Sequence, residues 1–341
     1  MSLNDPLKQK PSDDSPNWRA FFDDTIVPFW NTQVESKYFK GDDGLTLHYA
    51  SYKHTPEAPL VVISPGRIES ALKYQELFWE LAQYGFSVTA IDHRGQGLSD
   101  RLTDNPHQGH VDSFDDFVRD FAGFNDEIEK EFGNVPKTLF SHSMGGTIAT
   151  LYCANYKHSY RSLILSAPMF SIDTGGVPYS LAKLVVSVGA RLNRWFSRPW
   201  YFLGMKNYQR IAFEDNVLTQ SSTRYDAFRD GYEAQPSVQL GGPTFNWLYE
   251  AIKASKAAQD VVNKINIPVT LFRAGADKVV SKTGQLAVAA KATEGHFTFR
   301  TIEGAYHELM MEKDCYRTPV LNAIVEQTLP LLQQSQGPCA Q

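Results

Sequence analysis

The stretch "LFSHSMGGT", residues 139–147, sets Ser143 between His142 and Met144, with two glycines just beyond. A serine hydroxyl is a weak nucleophile until a base takes its proton and an acid orients that base. It becomes reactive where a strand turns sharply into a helix, because the apex of the turn lifts the side chain clear. Such a turn presses strand against helix, so the residues two before and two after the apex must be small. With Ser143 at the apex those residues are Ser141 and Gly145, whereas Ser141 at the apex would place Leu139 there. Ser143 is therefore the expected nucleophile, although Ser141 stands where the pattern G-x-S-x-G has its first glycine. The Met144 amide is the expected first oxyanion donor. Taken alone, the stretch also suits a helix N-cap serine, so the assignment depends on partners elsewhere in the chain.

Two partners come later, in the chain order serine, acid, histidine that serine hydrolases on α/β sheets use. "IPVTLFRAGADKVV" reads as a strand leading to a loop with Asp277, and "FTFRTIEGAYHELM" as a strand leading to a loop with His307. Both lie beyond strand C-terminal ends, where open α/β sheets gather their sites. His93 and His110 precede the serine and break the order. A second oxyanion donor is expected from the loop after the first central strand, "VVISPGRIES", where Gly66 permits close approach and Arg67 supplies the next amide.

These residues need a scaffold. Strands are expected at Leu45–Tyr52, Leu60–Ser64, Ser87–Asp92, Thr138–His142, Ser162–Ser166, Pro268–Arg273 and Phe297–Ile302. "PLVVIS" and "SLILSA" are apolar throughout, as in a parallel sheet covered on both faces. "DSFDDFVRDFAGFNDEIEKEF" is helical, capped at Asp112 or Ser113, with Phe114, Phe117, Val118 and Phe121 on one face. The alternation predicts an α/β fold with a mostly parallel sheet flanked by helices. Residues 1–20 are expected to be a mobile arm, 21–169 and 259–335 the core, and 170–258 an aromatic-rich helical cap inserted into it. Within the cap, residues 179–196 place Leu181, Leu184, Val185, Val188 and Leu192 on one stripe, with Lys183, Arg191 and Arg194 away from it. The stripe is expected to pack on the core; lying on an anionic membrane surface is the competing role.

Composition narrows the rest. The 341 residues carry a net charge of −5, so no basic excess invites nucleic acid. Three scattered cysteines suggest neither disulfides nor a metal centre. The N-terminus lacks an apolar signal region, and no run is long enough to span a bilayer. These features predict a cytoplasmic chain, with peripheral contact to the inner membrane face as the open alternative. Neither metal nor organic cofactor is expected, and nothing in the chain specifies an oligomeric state.

At this point the motifs "DHRGQGLSD" (92–100), "SHSMGG" (141–146), "RAGADKVV" (273–280) and "AYHELMME" (305–312) together resemble the α/β-hydrolase-fold lipases of the monoacylglycerol lipase type. With "VVISPGRIES", "GHVDSFDDFVRDF" and "LGGPTFNWL" added, the chain is similar to bacterial lysophospholipases of the L-two type, from about residue 20 to 330. The resemblance implies a capped α/β-hydrolase fold acting on a single-chain lipid ester, with a lysophospholipid as substrate. It carries the catalytic roles onto Ser143, Asp277 and His307, and the oxyanion amides onto Arg67 and Met144. Pro65-Gly66 replaces the His-Gly of the wider lipase pattern, which removes a side chain but not the amide. Monoacylglycerol lipase or general carboxylesterase activity is the alternative, and a non-catalytic hydrolase-fold binding protein the rival of another kind.

Overall fold

The computed structural model describes residues 6–335 apart from 194, 197 and 294. Eight strands form one sheet: β1 (Glu35–Lys40), β2 (Thr46–Tyr52), β3 (Leu60–Ser64), β4 (Ser87–Asp92), β5 (Lys137–His142), β6 (Tyr160–Ser166), β7 (Val269–Ala274) and β8 (Phe297–Ile302). Their spatial order is β1-β2-β4-β3-β5-β6-β7-β8. β1–β2 and β2–β4 pair antiparallel, and every pairing from β4 to β8 is parallel. The seven expected strands are all present, and β1 is an eighth that the sequence pattern does not reveal.

Residues alternate between two cores, as strand pleating requires. Leu60, Val62, Leu139, Leu163 and Leu165 face helices α2 (Phe114–Phe132), α3 (Met144–Asn155) and α6 (Phe245–Val261). Val61, Ile63, Phe140 and Ile164 face α1 (Gln75–Gln83) and α8 (Asp314–Ser335) on the other side. Helix α2 begins where expected, with the Ser113 hydroxyl accepting from the Asp115 amide.

Between β6 and β7 the chain leaves the sheet and forms α4 (Tyr179–Asn193), α5 (Ser222–Ala234) and α6; α7 (Lys282–Lys291) lies between β7 and β8. Two expectations need correction. Trp247, Ala251, Ala254 and Ala258 of α6 sit in the main core, so the core resumes near residue 245 rather than 259. Residues 6–20 are not a loose arm: Lys10 pairs with Glu76 and Glu80 at 2.6 and 2.7 Å, Asp13 exchanges hydrogen bonds with Asp314, and Trp18 is buried. This segment closes a buried ionic layer in which Arg224 meets Glu76 and Arg317 meets Glu80.

Helix α4 brings a third correction. Its buried side is Val186, Gly189, Ala190 and Asn193, while Leu181, Leu184, Val185, Val188 and Leu192 are exposed, Leu184 at 59%. The cause is close packing on α6: a Cβ on Gly189 would lie 2.2 Å from Phe245 Cδ1. Only the small side of the helix fits there, so the larger apolar stripe faces outward. Arg194 lies outside the described residues.

Candidate active site

The elbow forms at the junction of β5 and α3. Ser143 has φ +51° and ψ −116°, a strained conformation that lifts its side chain from the turn. The glycines after it are steric requirements. A Cβ on Gly145 would lie 2.0 Å from the Ser64 carbonyl oxygen, and one on Gly146 would lie 2.7 Å from Pro168 Cβ. Ser141 is fully buried on β5, paired beside Leu165 of β6, and fills the small position before the apex.

The three expected partners meet. His307 Nε2 is 2.9 Å from Ser143 Oγ, and His307 Nδ1 is 2.7 Å from Asp277 Oδ2. Asp277 also accepts from the amides of Val279 and Val280 at 2.8 and 3.0 Å, which fixes its other oxygen. Burial alone would raise the Asp277 carboxyl. The His307 ring and the two amides outweigh burial and hold it below the usual carboxylate range, so it stays an anion at neutral pH.

A second chain of the same residue types is present, with Ser36 Oγ 2.8 Å from His48 Nε2 and His48 Nδ1 2.8 Å from Asp92 Oδ2. Here Ser36 lies within the extended edge strand β1, with no strand-to-helix turn to raise it or to aim amides at it. Hydrogen-bond order alone does not make an active site; the elbow does.

The oxyanion loop, residues 65–70, lies against the elbow, so that a Cβ on Gly66 would be 3.1 Å from Ser143 Cβ. The Gly66 amide is taken by the Glu69 carboxylate. The Arg67 and Met144 amides have no acceptor among the described residues. Ile68 sits at φ +61°, so the loop holds backbone strain next to Arg67.

Two supporting residues were not found by sequence reasoning. Glu69 also accepts from Tyr74 Oη at 2.8 Å and Lys73 Nζ at 2.6 Å. Burial alone would raise its carboxyl; Lys73, then His142 and the Gly66 amide, outweigh burial and hold it at about 2. Gln96 Nε2 donates to the carbonyls of Gly66 and Glu69 at 2.7 and 2.9 Å. The "GQG" inside "DHRGQGLSD" was the available signal. Gly97 lies at φ +57° with Asp92 Cγ 2.1 Å from where its Cβ would be, so the motif is a tight turn that delivers Gln96 to the oxyanion loop.

Burial pushes both His93 and His142 down to about 4, so both are neutral in the folded protein at pH 7. Unfolded histidine titrates near 6.5. Between about 6.5 and 4 the unfolded chain therefore binds more protons, and stability rises with pH across that window and is complete above it. The expected result is a loss of about 3 kcal/mol or more in unfolding free energy from pH 7 to 4.5, since each tenfold difference in proton affinity is worth roughly 1.4 kcal/mol. Urea titrations at half-unit pH steps measure this, and a flat profile contradicts the neutral burial of both rings.

An apolar cavity of about 420 Å³ lies between α4, α6 and the segment after β6, lined by Ile172, Val177, Leu181, Val186, Phe202 and Leu248 among others. Ile172 bridges to Val280, three residues after Asp277, which ties the cavity wall to the loop of the acid. No group of metal-binding side chains occurs among the described residues. No helix among them is long and apolar enough to cross a membrane.

A parallel-dominated sheet with a strained serine elbow and a Ser–His–Asp relay defines a serine hydrolase of the α/β-hydrolase fold. The chain belongs to the hydrolase family described as serine aminopeptidase S33, which matches residues 55–314. It is 34% identical over 313 residues to lysophospholipase L2 of Escherichia coli K12, covering 90% of this chain and 91% of that one. It is 27% identical over 282 residues to monoglyceride lipase of Rattus norvegicus, covering 82% and 85%. Among solved structures it resembles a soluble variant of monoglyceride lipase from Saccharomyces cerevisiae, with a TM-score of 0.69, 18% identity and coverage of 88% and 96%.

Proposed function

We propose that this chain hydrolyses the acyl ester of a lysophospholipid through an acyl-Ser143 intermediate. The observation that carries the proposal is the unbroken relay Ser143–His307–Asp277, set beside two amides that have no acceptor among the described residues. His307 Nε2 takes the Ser143 proton as Oγ attacks the ester carbonyl. The Arg67 and Met144 amides hold the oxyanion, a contribution typically worth about 3 kcal/mol per donor. The C–O bond to the glycerol breaks and the alcohol leaves with the proton from His307. Water, deprotonated by His307, then frees the fatty acid. Asp277 holds the ring and balances its charge.

The apolar cavity suits a single acyl chain, and 34% identity to a lysophospholipase over nine-tenths of both chains favours a phosphate-bearing head group. Identity to monoglyceride lipases favours the alternative substrate. The test is fatty-acid release from lysophosphatidylcholine, lysophosphatidylethanolamine and monoacylglycerol carrying the same acyl chain. Faster kcat/KM on the lysophospholipids is expected, and turnover of monoacylglycerol alone overturns the lysophospholipid reading.

The cap is proposed to rest on the membrane that supplies the substrate. Leu184, Val188 and Leu192 on α4, with Trp195 at 84% exposure and Phe196 beyond it, make an outward apolar surface beside the cavity. Apolar faces of this extent on a folded chain mark contact sites, and one next to an acyl pocket suits lipid. Co-sedimentation with phosphatidylglycerol–phosphatidylethanolamine vesicles at low salt should show binding that Leu184→Glu weakens without changing the melting temperature. No binding by the unaltered chain removes this part of the proposal.

A further inference from the structure

Three of the buried arginines come with carboxylates. Arg94 grips Asp120 through two bonds, Arg224 meets Glu76 and Asp314, and Arg317 meets Glu80. Arg67 is different. Its half-buried side chain leaves the oxyanion loop, lays the guanidinium 5.1 Å over the Trp247 ring, and donates from Nη2 to the Gly241 carbonyl. Nε is buried without a partner, and no carboxylate pairs with the group among the described residues. Burial pushes this guanidinium down to about 10, yet it is still a cation at neutral pH. Gly109 makes room for it: a Cβ there would lie 2.9 Å from Nη2 and 3.1 Å from Nε.

A guanidinium has five donors in a rigid fork that matches carboxylate and phosphate oxygens. A cation left partly desolvated without a counter-charge is costly unless a ligand supplies one. We infer that the Arg67 side chain is the recognition site for the phosphodiester of the substrate, one residue serving the acyl end through its amide and the head group through its guanidinium charge and remaining N–H donors. In a lysophospholipid the phosphate is three glycerol carbons from the ester, so an arginine next to the oxyanion amide is placed to span the two. The inference rests on the lysophospholipid reading and deepens it.

The test compares kcat/KM for lysophosphatidylethanolamine with kcat/KM for a monoacylglycerol of the same chain. Arg67→Gln should lower that ratio by roughly tenfold or more, as loss of charge-assisted hydrogen bonds does. Arg67→Lys, which keeps charge but not the fork, should lower it less. Gly109→Ala keeps Arg67 and displaces its guanidinium, so it should lower the ratio too. In a second readout, glycerol 3-phosphate should inhibit hydrolysis of p-nitrophenyl butyrate, and Arg67→Gln should relieve that inhibition. Turnover of both lipids with an unchanged ratio in Arg67→Gln overturns the inference alone. Inhibition by inorganic phosphate that Arg67→Gln abolishes, with the ratio unchanged, overturns it in favour of a free-phosphate site. No turnover of any lysophospholipid by the unaltered chain overturns the underlying reading.

Discussion

Ser143→Ala should lower kcat for ester hydrolysis by roughly 10⁵- to 10⁶-fold while leaving the fold intact. The size of the loss follows from the relay: without Oγ, His307 has no proton to move and no acyl intermediate forms. Stability should change by no more than about 1 kcal/mol, because the substitution removes one hydroxyl whose partner is the His307 ring. The alanine keeps the Cβ that shapes the elbow. Steady-state kinetics on a lysophospholipid, alongside a thermal melt, measures both. Substantial remaining activity in a folded variant would move the nucleophile elsewhere, and Ser36, hydrogen-bonded to His48, would become the residue to examine.

Gly145→Ala should be nearly as damaging through sterics alone. The added methyl would lie 2.0 Å from the Ser64 oxygen and 2.5 Å from the Pro65 oxygen, both backbone atoms with little freedom to yield. The end of β3 and the elbow must separate by about an ångström, and that movement carries the oxyanion loop away from Ser143. Overpacking of this kind costs about 1–3 kcal/mol or more, a fall in melting temperature of roughly 1–4 °C or more for a chain of this size. Displacing an oxyanion donor should reduce kcat by roughly 10²- to 10³-fold as well. Gly123→Ala is the matched control. It lies in α2, where a Cβ would make an ordinary 3.5 Å contact with Phe39, and it should melt at or slightly above the unaltered protein. Equal behaviour of the two variants would contradict the steric account of the elbow.

The parts of this molecule that were legible in its sequence are those whose requirements are local. Small residues around Ser143, apolar strands and the positions of Asp277 and His307 after them are written in adjacent residues. The parts that were not legible depend on distant partners. β1 reads "ESKYFK", and at the sheet edge only Phe39 is buried, so little apolar alternation marks it. The ionic layer joins Arg224 to Glu76 across 148 residues and Arg317 to Glu80 across 237, and each charge alone looks like surface. Helix α4 misled because hydrophobicity marks the larger stripe, whereas the interface with Phe245 admits only the side containing Gly189. Glu69 and Gln96 act by holding a loop, and their role is visible only once that loop lies against the elbow.

The most direct test of Ser143 as the nucleophile is active-site titration with a fluorophosphonate, with lysophosphatidylethanolamine hydrolysis and intact mass measured in the same samples. Activity should fall linearly to zero as labelling reaches one group per chain, with the label mapped by peptide mass spectrometry to Ser143. Hydrolysis that persists at full labelling of Ser143, or that is lost through labelling of another residue, would contradict it.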